Sequence, residues 1–145
     1  MATFNKFDCF TENLAEGVHN LGANQLVVAL TNTLPVVTNT VLSNITEIAY
    51  TTFVNGATTG RNLALAAVSP STQTAGVYKL ILQDLVLTAN ATTPSFRYAV
   101  IYNSAGTGIT NPLIGWYDYG SSITLNNLET LTLDFDQANG VLTLT

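Results

Sequence analysis

Beyond Gly22 the apolar residues recur with a period of two or in short unbroken runs, the pattern of strands joined by turns. FRYAVIYN (96–103) sets Phe96, Tyr98, Val100 and Tyr102 against Arg97, Ala99, Ile101 and Asn103. QLVVALTN (25–32) is continuous and apolar, and Thr33-Leu34-Pro35 ends it. Further strands are predicted at ITEIAYTTF (45–53), NLALAAV (62–68), LIGWYDY (113–119) and SITLN (122–126). VYKLILQDLVLTA (77–89) is long enough to require a bend or bulge near Gln83-Asp84, where the polar phase shifts. LETLTLDFD (128–136) and VLTLT (141–145) read as a hairpin turning at Gln137-Ala138-Asn139-Gly140. Leu131, Leu133 and Phe135 then face one way, and Thr132, Asp134 and Asp136 the other.

Only NKFDCFTENLAEGVHNLG (5–22) has helical spacing. Phe7, Phe10, Leu14 and Val18 make one apolar stripe, while Asp8, Glu12 and Glu16 make an acidic face. Gly17 or Gly22 is the natural stop. Two or three turns of helix are marginal alone in water, so the phenylalanine stripe must dock on something. The chain has no repeat and no interdomain linker. It is predicted to be all-β, a jelly-roll-like β-sandwich of about eight or nine strands with one short N-terminal helix. An immunoglobulin-like sandwich is the rival, and strand order stays open. Residues 1–22 form an arm and helix, and 23–145 the sandwich domain.

Composition narrows the function. A chain of 145 residues is expected to be one domain with a sizeable core of its own. Charged residues are 9% of it, against about 25% in an ordinary domain; threonine and asparagine carry the polar share. The net charge is −5, and the four basic residues, Lys6, Arg61, Lys79 and Arg97, are dispersed. That leaves no basic groove for phosphates, so no nucleic-acid partner is expected. No run reaches the ~20 apolar residues of a membrane helix, so no membrane partner is expected either. MATFNKFDCF lacks an apolar signal core, which predicts synthesis in a cytoplasm. The triplets at Asn44 and Asn90 are then accidents of an Asn/Thr-rich chain.

Catalytic chemistry lacks its parts. His19 is the single histidine and no nucleophile or ligand pattern surrounds it. Cys9 is alone, and the acids beside it raise its thiol pKa. Asp134-Phe135-Asp136 with Asn139-Gly140 invites a calcium reading, but the spacing departs from an EF-hand loop and its closing glutamate is missing. Two solvated aspartates are expected there. Glycine-rich SAGTGITNP (104–112) has no lysine for a phosphate loop. The chain is therefore expected to be no enzyme, with no cofactor and no metal. GWYDYGSS (115–122) is the unusual run. Alternation puts Trp116 and Asp118 on one face, Tyr117 and Tyr119 on the other. These aromatics, with Phe4, Phe7 and Phe10 of the arm, are the candidate protein-contact residues, because tyrosine and tryptophan dominate interface hot spots. If Trp116 is core instead, its alanine variant unfolds.

FNKFDCFTENLAEGVHNLGANQLVVALTNTLP, TNTVLSNITEI, GWYDYGSSITL and LTLDFDQANGVLTL resemble a family of small structural proteins encoded by tailed bacteriophages. The likeness runs from near residue 4 to the carboxyl terminus, interrupted at 50–75 and 103–112. It implies a virion protein made in the host bacterial cytoplasm, a jelly-roll capsid decoration (cement) protein on the surface of an icosahedral head. Its partners would be the phage major capsid protein and further copies of itself, as a homo-dimer or homo-trimer. A tail tube, adaptor or fibre module is the alternative, and a carbohydrate-binding module the second. AEGVHNLGANQLVVALTNT (15–33) would be the family's helix-to-first-strand junction, with His19 part of the architecture.

Overall fold

The computed structural model describes residues 2–23, 25–54, 56, 58–63 and 71–145. Across them the chain is an antiparallel, all-β sandwich of ten strands with one α-helix. Five strands make the larger sheet: β1 (Thr3–Lys6), β8 (Leu113–Ile123), β7 (Phe96–Asn103), β2 (Leu26–Thr31) and β3 (Asn62–Leu63), in that spatial order. The facing layer holds two smaller sheets. One is ordered β10 (Leu142–Leu144), β5 (Val77–Leu80), β4 (Thr72–Thr74); the other pairs β6 (Leu85–Thr88) with β9 (Thr130–Leu133).

The apolar run at 26–31 is buried at every position because both faces of the large sheet are covered. Leu26, Val28 and Leu30 point into the interlayer core, where they join Ile101, Ile114, Leu80, Leu87 and Leu133. Val27 and Ala29 point the other way, with Val100, Tyr102, Leu113 and Trp116, under a cover made by Phe7, Ile45 and Leu42. β7 runs 96–103 as its alternation predicts. The predicted break near Gln83-Asp84 separates β5 from β6.

Four expectations need correction. The helix is only Cys9–Ala15, with Gly17 at φ 76 ending it, and residues 3–6 are a strand paired with 115–118 of β8. Phe4 is therefore directed by strand alternation, Phe7 follows the same ladder through its N–H on the Ile114 carbonyl at 3.1 Å, and only Phe10 lies in the helix. Phe7 packs on the outer side of the large sheet and Phe10 in the interlayer core, so the single stripe does not exist. Gly115 permits this seat, since a Cβ there would lie 2.6 Å from the Asn5 carbonyl oxygen and against Phe4.

The segment 45–53 forms no strand beyond a bridge between Phe53 and Ala89. The two segments at 113–119 and 122–126 contribute one strand, β8, whose extra residues bulge opposite Arg97 around Gly120 at φ 88. The hairpin at 137–140 does not pair its own arms. β9 pairs with β6 and β10 with β5, so 130–144 runs antiparallel to 77–88 as one ribbon. The turn itself forms: the Asp136 carboxylate accepts the N–H groups of Ala138 and Asn139 at 3.0 and 2.9 Å. It makes an excursion from the ribbon, because pairing both arms with the apolar 77–88 segment buries Leu80, Leu85, Leu87 and Leu133 together. Most of the predicted strand at 62–68 lies outside the described residues.

Candidate functional site

Three of the six candidate contact residues are inside the protein. Phe7, Phe10 and Trp116 are 0%, 1% and 7% exposed. Phe7 and Trp116 pack at 4.6 Å between ring centroids, a pair whose tilted geometry suits the aromatic quadrupoles. A phenylalanine arm free to grip a neighbour is thus replaced by a core clasp. Phe4 and Tyr117 are half-buried and touch at 5.2 Å. Tyr119 alone of the six is exposed.

The structure brings together two runs that the sequence leaves apart. Tyr117 and Tyr119 of β8 face Asp134, Asp136 and Gln137 of the excursion across a cleft of about 840 Å³, with Asp84 on its wall and Leu133 and Phe135 beneath. Burial, and then the nearby Asp136 carboxylate, push the Tyr117 hydroxyl up to about 12, so it stays neutral. Asp136 is held below the usual carboxylate range by hydrogen bonds from the Asn139 side chain and the loop N–H groups. Asp84 accepts the Phe135 N–H at 2.9 Å. Among the described residues no three His, Cys, Asp or Glu side chains gather as a metal site.

A second surface was not predicted. Leu34, Val36 and Val37 are 61%, 55% and 42% exposed on one short loop. The loop is pinned: Val36 N–H donates to Asn39 Oδ1 at 2.9 Å, and Asp8 N–H donates to the Val37 carbonyl at 3.0 Å. The available signal was an aliphatic cluster, LPVV, set between turn-forming Thr/Asn pairs with no strand period. Val54 and Val86 are also exposed, on the other layer.

The remaining polar chemistry is structural. His19 is buried, with Nδ1 at 3.1 Å from Asn103 Nδ2 and its ring against Phe10. Burial pushes its pKa down to about 4, against a weaker opposing pull from the Leu113 carbonyl. A neutral buried histidine favours the fold above its ordinary 6.5; as pH falls from there to about 4 the unfolded chain takes the proton first. Each pH unit is ~1.4 kcal/mol, so the loss across that range should be on the order of 3 kcal/mol. Urea titrations across that range should show the loss in the native protein and a flatter profile in His19→Gln. Equal profiles would place the acid sensitivity elsewhere. At Cys9, burial pushes the thiol up, and Asp8 and Glu12 add to it, which disfavours a reactive thiolate.

Arg61 lies at the far edge of the large sheet. Among the described residues β3 pairs with Leu26 and Val27. Beyond them Arg61 Nη1 donates to the Val28 carbonyl at 2.6 Å, and the Tyr50 hydroxyl accepts the Leu30 N–H at 2.9 Å. Tyr50 donates in turn to Glu47 Oε1 at 2.8 Å, which lies 3.6 Å from Arg61 Nη1. These side chains, with the Ile48 N–H on the Leu30 carbonyl at 3.0 Å, thus occupy backbone groups along the β2 edge.

No family model, curated protein or solved structure matches the chain, so its function is read from its own surfaces.

Proposed function

We propose that this protein is a non-enzymatic structural component of a tailed-phage virion. In this reading it is a decoration protein that attaches to the assembled icosahedral head through the loop bearing Leu34, Val36 and Val37. The observation that carries the attachment surface is that loop: three adjacent aliphatic side chains held in water by a hydrogen-bonded turn on a rigid sandwich. Exposed apolar clusters of this kind mark contact sites. The low charge of the chain supports the same reading, since few ions need be desolvated in a large permanent contact. The partner in this reading, the major capsid protein, comes from the sequence resemblance to phage structural proteins, which is interrupted at 50–75 and 103–112.

Burying Leu34 or Val37 against a shell should contribute about 1.5–3 kcal/mol each. Leu34→Asp and Val37→Asp should therefore keep the melting temperature of the native protein and lose tenfold or more in affinity for purified heads. Occupancy measured by co-sedimentation separates the two properties. Full occupancy by both folded variants would remove the loop from the attachment surface. Binding to tails in place of heads would support the tail-component alternative.

A further inference from the structure

We propose that the open hollow between the end of the helix, the 17–22 loop and the β5–β10 pair binds a small neutral molecule carrying a carbonyl oxygen on an apolar body. Such a site goes beyond attachment to a head and does not depend on it.

The hollow measures about 500 Å³, and among the described residues no charged side chain lines it. Leu14, Leu21 and Leu144 give it apolar walls, and Gly22 leaves one side bare. Its distinguishing chemistry is two buried polar atoms without partners. His19 Nε2 and the Tyr78 hydroxyl are two of only four such atoms among the described residues, and both side chains border this one space. Buried polar groups are almost always satisfied, so two exceptions around one hollow point to a ligand that satisfies them.

The proton on His19 can be placed. Asn103 Oδ1 accepts the Ala105 N–H at 2.9 Å, which turns Asn103 Nδ2 toward His19 Nδ1 at 3.1 Å. Nδ1 therefore accepts, and the neutral ring carries its proton on Nε2. The Leu113 carbonyl acts on the ring but makes no hydrogen bond with Nε2. The site thus offers an N–H and an O–H donor. A carbonyl oxygen suits them, because it accepts two hydrogen bonds and brings no donor of its own. A carboxylate would accept them too, but its charge would go uncompensated. The chain's net charge is −5, and Lys79, next to Tyr78 along β5, points to the opposite face and donates to the Ala138 carbonyl. Both donor atoms are shut from water, so the half-buried Leu14, Tyr78 and Leu144 side chains must give way as the oxygen seats.

Cyclohexanone and cyclohexanecarboxylate, titrated into ¹⁵N-labelled native protein, test the site. Cyclohexanone should shift the amides of Leu21, Gly22 and Leu144 saturably, with a Kd in the millimolar range, and the carboxylate should not. Tyr78→Phe removes one donor with little change of shape. It should weaken cyclohexanone binding about fivefold, the worth of one hydrogen bond, yet melt no lower than the native protein, since a hydroxyl without a partner adds nothing to the fold. Gly22→Leu should fold and block binding, because Gly22 is exposed and a Cβ there meets only Asn20 Oδ1, at 3.6 Å. No saturable shift with cyclohexanone, equal shifts with the carboxylate, or full affinity in either variant would overturn the proposal. So would a melting temperature several degrees lower in Tyr78→Phe, which would mean that an ordered water already serves the hydroxyl.

Discussion

Truncating Phe7 to alanine should cost about 3–5 kcal/mol, a large part of the 5–15 kcal/mol that holds a domain of this size. Phe7 is wholly buried and packs with Trp116, Val27, Tyr98, Val100, Tyr102 and Leu113 on the outer side of the large sheet. Among the described residues no strand backs that side; Phe7, Ile45 and Leu42 are the lid. A hole there cannot be filled by sliding a facing sheet, so the cavity cost adds to the lost transfer energy. The midpoint of thermal unfolding should fall on the order of 10 °C. Trp116, the single tryptophan and 7% exposed, reports the transition by fluorescence. The same variant should loosen the 34–37 loop, because the Asp8 N–H next to Phe7 holds the Val37 carbonyl. Reduced head binding in Phe7→Ala should thus accompany reduced stability, unlike Leu34→Asp. A Phe7→Ala protein of native stability that failed to bind would restore Phe7 as a contact residue.

Replacing Arg61 by methionine should destabilise by about 3 kcal/mol. The guanidinium is buried among its own partners: it donates to Val28 at 2.6 Å and Gly56 at 3.2 Å, and stacks 3.6 Å from the centre of the Tyr50 ring. Methionine fills much of the volume and none of the donors, leaving buried carbonyls unpaired at about 1–3 kcal/mol each. Glu47 keeps 30% of its side-chain surface in water, so it can rehydrate, which holds the loss toward the lower end for a broken pair. Arg61→Lys should recover little, since an ammonium cannot span two carbonyls and lie flat on Tyr50. Chemical unfolding of the two variants checks the size, and a loss under about 1 kcal/mol would mean that water replaces the guanidinium freely. The opened β2 edge should also make Arg61→Met more prone to associate.

β2, β7, a glycine stop to the helix (Gly17, of the two glycines the sequence offers) and the break at Gln83-Asp84 were legible in the sequence, because each rests on a local property: run length, alternation, left-handed glycine or a phase shift. The misread elements depended on distant partners. The direction of Phe7 is set by β1 pairing with β8, where Lys6 lies opposite Gly115, and local spacing cannot register a partner so far along the chain. ITEIAYTTF has strand chemistry, and its Ile48 N–H does reach the Leu30 carbonyl at 3.0 Å, but a tyrosine hydroxyl and a guanidinium take the Leu30 N–H and the Val28 carbonyl beside it. The arms of the 137–140 turn are sound strands whose partners lie at 77–88. Of the candidate site, the tyrosine run and the aspartate pair were each visible, but their meeting across one cleft was not. Leu34, Val36 and Val37 escaped because aliphatic residues are ordinarily assigned inward, and a pinned loop reverses that.

Cryo-electron microscopy of purified heads of the encoding phage, stripped and then incubated with the protein, tests the central claim most directly. The predicted result is added density at regular positions on the head lattice, with the loop carrying Leu34, Val36 and Val37 against the shell. Heads that remain bare while tails acquire density, or lattice density that turns this loop outward to solvent, would contradict it.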